Sequence, residues 1–149
     1  MKEAKDKGIC VDGYRDMRGF DVDELVDYYI KNPDWCLERN FPSLDLLREN
    51  FSNQQHKGIF IDEDFEDNEL KDNLVYVFHN CNGRINVGLN LEKSLIPMLY
   101  FANDCDIWVH CEDSIKIPIY IFGHNVINTS GNATFHIFRH ELIKKGGKL

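Results

Sequence analysis

Apolar residues follow a helical spacing in the first third of the chain, between residues 21 and 51. Asp21 is a favourable N-cap and Glu24 follows at the third position after it, which predicts a helix that begins here. Pro33 ends this helix and can begin a second one, and Ser43 opens a third. The apolar positions of the first helix are Val22, Leu25, Val26, Tyr29 and Ile30.

From residue 58 onward, short apolar runs alternate with polar corners and recur at a nearly fixed distance. Ile-Pro occurs at 96–97 and again at 117–118, and Phe78, Phe101 and Phe122 follow one another at almost the same spacing. A repeat of this length built from short β runs is typical of a solenoid. We therefore expect a mainly β protein with N-terminal helices and a short β-solenoid of about three turns of roughly 21–23 residues.

Asparagines accompany the repeated phenylalanines. Asn80 and Asn103 keep the same spacing as Phe78 and Phe101. In a solenoid they would stack at a corner as a structural ladder, since side-chain amides hydrogen-bond along such a stack. An antiparallel β-sandwich of short strands remains the alternative, because turn spacing alone does not exclude it.

Both faces of the repeat strands are apolar. We expect Tyr120 and Phe122 on the same face as Tyr76 and Phe78, and Ile119 and Ile121 on the other. A solenoid wall has one interior face, so the second apolar face needs a cover. We expect residues 1–57 to form a helical leader or lid packed on a β-repeat domain of residues 58–149 that ends in a basic tail, together one compact domain.

The composition adds a strong negative charge. The 149 residues include 25 acidic and 17 basic ones, for a formal charge of −8, which argues against direct nucleic-acid binding. Six acids fall within residues 62–69, where we expect a solvated acidic loop. Its candidate partner-binding residues are Asp62, Glu63, Asp64, Glu66 and Asp67.

Residue types that carry chemistry are present but scattered. Five cysteines without a Cys-x-x-Cys pair predict reduced, mostly buried thiols, and we expect no metal and no cofactor. Neighbouring strand residues point to opposite faces, so a His–Cys nucleophilic pair at positions 110–111 is disfavoured. The remaining ligand candidates, which we do not expect to be catalytic, are His79, His110, Cys111 and His124. We expect no enzymatic activity, and we expect Tyr76, Tyr100, Trp108 and Tyr120 to belong to the core rather than to a base-stacking site.

The order of motifs resembles a family of small uncharacterised proteins from phages and prophages of gut Bacteroidetes. The resemblance rests on residues 28–37, on Phe41-Pro42-Ser43 and on residues 58–62, all preceding the β repeats. It implies a phage-derived protein that acts in the bacterial cytoplasm or sits in the virion. We do not expect the charged N-terminal segment to be a secretory signal, and no apolar run is long enough to cross a membrane.

These observations favour a non-enzymatic binding or assembly module that forms a homo-oligomer, with a host or virion protein as a further possible partner. The alternative is an acidic, host-directed inhibitor of a bacterial defence system, acting by protein blocking or by sequestration of a nucleotide signal.

Overall fold

The computed structural model describes residues 21–88 and 96–140. The leader before residue 21, Cys10 and the tail after residue 140 lie outside these ranges. The described chain falls into two compact units, a helical one up to Phe51 and a β one from Ser52 to His140. That the helices cover the β unit stays a prediction.

The helical unit begins where the sequence predicts. Helices α1 (Val22–Lys31), α2 (Pro33–Glu38) and α3 (Leu44–Asn50) follow one another closely. Asp21 accepts a hydrogen bond from the Glu24 amide at 2.8 Å, and Glu24 accepts one in return from the Asp21 amide, which completes a capping box. The capping box satisfies amides that have no partner inside the helix, so it fixes the first residue of α1.

Parallel strands of a β-solenoid make up the second unit, as expected. Two sheets run along the solenoid: sheet A has the order β1-β3-β5-β7-β9 and sheet B the order β2-β4-β6-β8. Every pairing in the described ranges is parallel, which excludes the antiparallel sandwich. The strands are β1 (Ile59–Ile61), β2 (Asp64–Leu70), β3 (Val75–His79), β4 (Asn82–Val87), β5 (Met98–Ala102), β6 (Asp106–Cys111), β7 (Lys116–Phe122), β8 (Val126–Gly131) and β9 (Thr134–His140).

A column of left-handed residues forms the corner between the two sheets. Each sheet A strand from β1 to β7 is followed by a residue with positive φ, and these angles lie between 52° and 76°. Asn and Asp tolerate this region because their short side chains hydrogen-bond locally, and glycine has no Cβ to clash. The corner residues, in chain order, are Asp62, Asn80, Asn103 and Gly123.

The interior is filled by like residues stacked from turn to turn. The Phe60 and Phe78 rings stack at 5.4 Å, and the Phe78 and Phe101 rings at 4.8 Å. Ile121 continues this column, since it pairs with Phe101. Such offset ring stacks add to the free energy gained from burial, so this column ties three consecutive turns together.

Three details of the sequence prediction were wrong. There are four turns, because the acidic segment expected to be a loop forms β2, the sheet B strand of the first turn. Phe101 pairs with Ile121, and Phe122 instead pairs with Ala102. Ile119 and Ile121 therefore face the interior, while Tyr120 and Phe122 lie on the outer face of sheet A.

Gly83 lies where the backbones of two successive turns come close together. Its φ is +111°, and a Cβ at this position would lie 2.0 Å from the Phe65 carbonyl oxygen of the preceding turn. We expect Gly83→Ala to lower the free energy of unfolding by at least about 2 kcal/mol, because backbone strain and a backbone clash act together. Urea denaturation followed by circular dichroism measures this change.

Gly88→Ala is the matched control. A Cβ at Gly88 would meet the flexible end of Lys71 at 3.0 Å, and that side chain can move aside. Equal losses of stability in the two variants would contradict the close approach at Gly83.

Candidate functional site

The acidic residues of the first turn bond to asparagines of the second. The parallel register places β2 beside β4, so that side chains at equivalent positions lie next to each other. Three asparagine amides donate to three aspartate carboxylates across this boundary. The pairs are Asn80 with Asp62 (2.8 Å), Asn82 with Asp64 (3.3 Å) and Asn86 with Asp67 (2.5 Å).

The other two candidate partner-binding residues are placed differently. Glu63 accepts a hydrogen bond from the Gln55 side chain at 3.1 Å, and the side chain of Glu66 is exposed on β2. A role of these acids in binding a partner stays a prediction.

Asn80 and Asn103 occupy equivalent corner positions of successive turns. Their amides each reach back to the preceding turn: Asn80 to Asp62, and Asn103 to the ring nitrogen Nδ1 of His79 at 2.7 Å. In this ladder each asparagine side-chain amide thus donates to an acceptor in the preceding turn. The expected bond between the two asparagine amides is not the one that forms.

His79 lies on the outer face of sheet A and is buried. Burial lowers its pKa to about 3, against a smaller opposing effect of the nearby Asp62 carboxylate. Since the Asn103 amide donates to Nδ1, the neutral ring carries its proton on Nε2. His79 is therefore a structural neutral histidine.

A second polar column lies just inside the corner, and the sequence analysis missed it. The Cys81 amide donates to the Cys105 sulfur at 3.4 Å, and the Cys105 amide donates to Asn125 Oδ1 at 2.7 Å. The Cys105 thiol and the Asn125 amide in turn donate to carbonyls at the ends of their own sheet A strands, Ala102 and Phe122. The signal in the sequence is the spacing of Cys81, Cys105 and Asn125, which matches the register of β4 with β6 and of β6 with β8.

The cysteines of the described ranges are free and buried, as expected. The hydrogen bond with Cys105 and burial raise the pKa of the Cys81 thiol. Burial likewise raises the pKa of Cys36 to about 12. Both thiols are thus protonated and unreactive at neutral pH.

His110 and Cys111 point to opposite faces of sheet B, in agreement with the alternation argument. Cys111 is buried in the solenoid interior, whereas His110 lies on the outer face. His124 is exposed at the corner of the fourth turn. Within residues 21–88 and 96–140 no group of three His, Cys, Asp or Glu side chains is placed to hold a metal ion.

His110 belongs to a polar network that only the solenoid register brings together. Ser130 pairs with His110 across β6 and β8, and its Oγ lies 2.7 Å from His110 Nδ1. His110 Nε2 lies 2.5 Å from Glu112 Oε1. The Asn132 amide donates to the Glu112 carbonyl and to its carboxylate, at 3.1 and 3.3 Å. Trp108 Nε1 donates to Ser130 Oγ at 2.7 Å. We call these five side chains the outer network.

Trp108 was expected in the core, but its side chain lies on the outer face and the residue is 46% exposed. The expectation failed because Ile107, Val109 and Cys111 take the inward positions of the alternating strand β6, which leaves Trp108 on the outer face. The Arg84 guanidinium lies over the Trp108 ring, 5.0 Å from its centroid. Arg84 Nε is also 3.0 Å from Asp67 Oδ1, an ion pair without hydrogen-bond alignment. The indole is thus held in place although much of it faces solvent.

The C-terminal turn leaves apolar side chains uncovered. Ile137 pairs with Ile119 and faces the interior, yet it is 43% exposed. On the outer face of sheet A, the Tyr100 and Tyr120 rings stack at 4.7 Å, and Tyr120 and Phe138 at 5.2 Å. Among residues 21–88 and 96–140, Phe138 is the last ring of this stack, and it is 46% exposed.

Replacing the buried histidine tests its neutral state. The pKa of His79 is about 3 in the folded protein and near 6.5 in the unfolded chain. Between these values only the unfolded chain takes up the proton. Stability is therefore fully present above pH 6.5 and falls by about 1.4 kcal/mol per pH unit below it. We expect His79→Asn, which keeps an acceptor for Asn103, to remove about 2 kcal/mol of the stability loss between pH 7 and pH 5.

Urea midpoints at the two pH values measure this difference. His124→Asn is the control, since it makes the same substitution at an exposed histidine. A His79→Asn protein with the same pH dependence as the parent would show that the buried ring takes up a proton as readily as the unfolded chain does, and would contradict the lowered pKa.

Comparison with known proteins gives no match: no family model, no curated protein and no solved structure resembles the chain closely enough to assign it. Among the described residues, no helix has the length and apolarity needed to cross a membrane.

Proposed function

We propose that the protein is an assembly module whose β-solenoids join through their C-terminal turns to form a homodimer. The observation that carries the proposal is the exposure of Ile137 and Phe138 at the end of sheet A. One residue continues the interior column and the other the outer aromatic stack, and both lack a next turn in the described chain. Exposed edges with apolar side chains favour pairing with another strand.

The charge of the C-terminal turn supports a contact between two copies. Residues 126–140, which hold β8 and β9, include no acidic residue, although the whole chain has a formal charge of −8. The opposite end differs, since β2 carries Asp64, Glu66, Asp67 and Glu69. Charged side chains on an edge strand oppose pairing, so two copies meet more readily at their C-terminal turns than at their first turns.

Strand length favours a two-fold arrangement over a head-to-tail filament. β9 has seven residues, whereas β1 has three, so a head-to-tail contact would leave more than half of β9 unpaired. A two-fold axis sets β9 against an identical β9 of the partner, and every exposed residue meets an equivalent surface. Sheet A would then continue from one copy into the next.

Charge placed on the terminal turn should separate the copies. We expect Phe138→Lys and Ile137→Lys each to weaken dimerisation at least about tenfold, because burying one such side chain contributes about 1.5–3 kcal/mol and each copy loses one. Native mass spectrometry over a dilution series gives the dissociation constant.

Leu74→Lys is the matched control, because Leu74 is 38% exposed and precedes β3, away from the terminal turn. This variant should dimerise like the parent. A parent protein that is monomeric at every concentration, or a Phe138→Lys variant that dimerises unchanged, would overturn the proposal.

A further inference from the structure

We propose that Ser130 is a nucleophile, that His110 is its general base, and that the outer network accepts an acyl group from small, uncharged esters. This activity goes beyond assembly, and it rests on the outer face of sheet B, where β8 pairs with β6. The side chain of Ser130 lies on the outer face of sheet B, whereas the proposed dimer contact extends sheet A at β9.

The positions of the hydrogen atoms in the network follow from the Trp108 donor at one end and the Glu112 acceptor at the other. An indole N–H only donates, so Ser130 Oγ accepts from Trp108. A carboxylate only accepts, so His110 Nε2 carries a proton toward Glu112. In the neutral ring Nδ1 is then an acceptor, and the remaining donor is the Ser130 hydroxyl. The hydrogen of Ser130 therefore points at His110 Nδ1.

This arrangement matches the requirements for an activated serine. A nucleophile needs a base within hydrogen-bond reach and a third group that orients the base. Here Ser130 and His110 are 2.7 Å apart, and Glu112 orients the ring from its other nitrogen. Asn132 holds the Glu112 carboxylate in turn, so the orienting group is itself fixed although it is exposed.

The turn after Ser130 explains how the network closes. Gly131 has φ +100°, and a Cβ there would lie 2.1 Å from the Cys111 carbonyl oxygen. Only glycine fits, and the backbone turns sharply enough to bring Asn132 back to Glu112. The side chain of Ser130 thus hydrogen-bonds to His110, and the side chain of Asn132 hydrogen-bonds to Glu112.

The chemistry that this geometry allows is acyl transfer. Ser130 Oγ attacks the carbonyl carbon of the ester while its proton passes to His110 Nδ1. The bond from carbon to the leaving oxygen breaks, and the alcohol departs with that proton. Water then gives a proton to His110 Nδ1 and attacks the acyl carbon. The bond from that carbon to Ser130 Oγ breaks, Ser130 takes the proton back from His110, and the carboxylic acid leaves. The outer face of sheet B carries the Glu112 carboxylate at the network and further carboxylates on β2, three strands from β8, so uncharged esters fit it better than anionic ones.

Labelling of the intact protein tests the proposal. The protein is incubated with p-nitrophenyl acetate and, separately, with a fluorophosphonate, and modified residues are located by peptide mass spectrometry. We expect Ser130 to be modified at least about tenfold faster than Ser114, an exposed serine outside the network, because general-base assistance contributes a factor of about 100 or more.

Two variants separate activation from exposure. Ser130→Ala should abolish the fast modification, and Ser114→Ala should leave it unchanged. His110→Gln keeps a side-chain acceptor near Ser130 but cannot take up its proton, so modification of Ser130 should fall to the rate of Ser114 in the same sample. An unmodified Ser130 in the folded parent protein overturns the proposal, and this result does not depend on whether the variants fold. A His110→Gln variant that reacts at the parent rate overturns it as well.

Discussion

The parallel register between turns is the constraint on which the rest of the structure depends. Each strand obtains its hydrogen bonds from the strand one turn before and one turn after, so a polar group in one turn is satisfied only if the next turn is in place. The corner residues Asn80 and Asn103 and the interior Cys105 obey the same rule with their side chains. Where the register is kept, these groups have partners without any help from solvent.

The same register decides which surfaces are available for function. It aligns Asp62, Asp64 and Asp67 with asparagines, and so converts part of the acidic segment into bonds between turns. It also brings Ser130 to His110, although the two lie a full turn apart in the chain. Both features come from the parallel pairing of successive turns, and neither needs a cavity.

The fold could be predicted because periodicity is a property of residues near one another in the sequence. The Phe78–Phe101 spacing and the corner asparagines sufficed for a solenoid with roughly the right turn length. Phe122 lies 21 residues after Phe101, whereas paired positions of β5 and β7 lie 20 residues apart, and an offset of one residue moves a side chain to the other face of the sheet. For this reason Phe122 was assigned to the wrong face. The outer network was missed because its members belong to different turns, and only the exact register of β6 and β8 places them together.

The short separation of paired strands along the chain also bears on how the protein folds. Paired positions such as Ile59 and Val77, or Tyr100 and Tyr120, lie a single turn apart, and no pairing in the described ranges joins distant parts of the β unit. Closing such short loops costs little conformational entropy. Each turn can therefore form on the turn next to it. Opening of the native state then begins at the ends and reaches the central turns last, and amide hydrogen exchange would be slowest in β5 and β6.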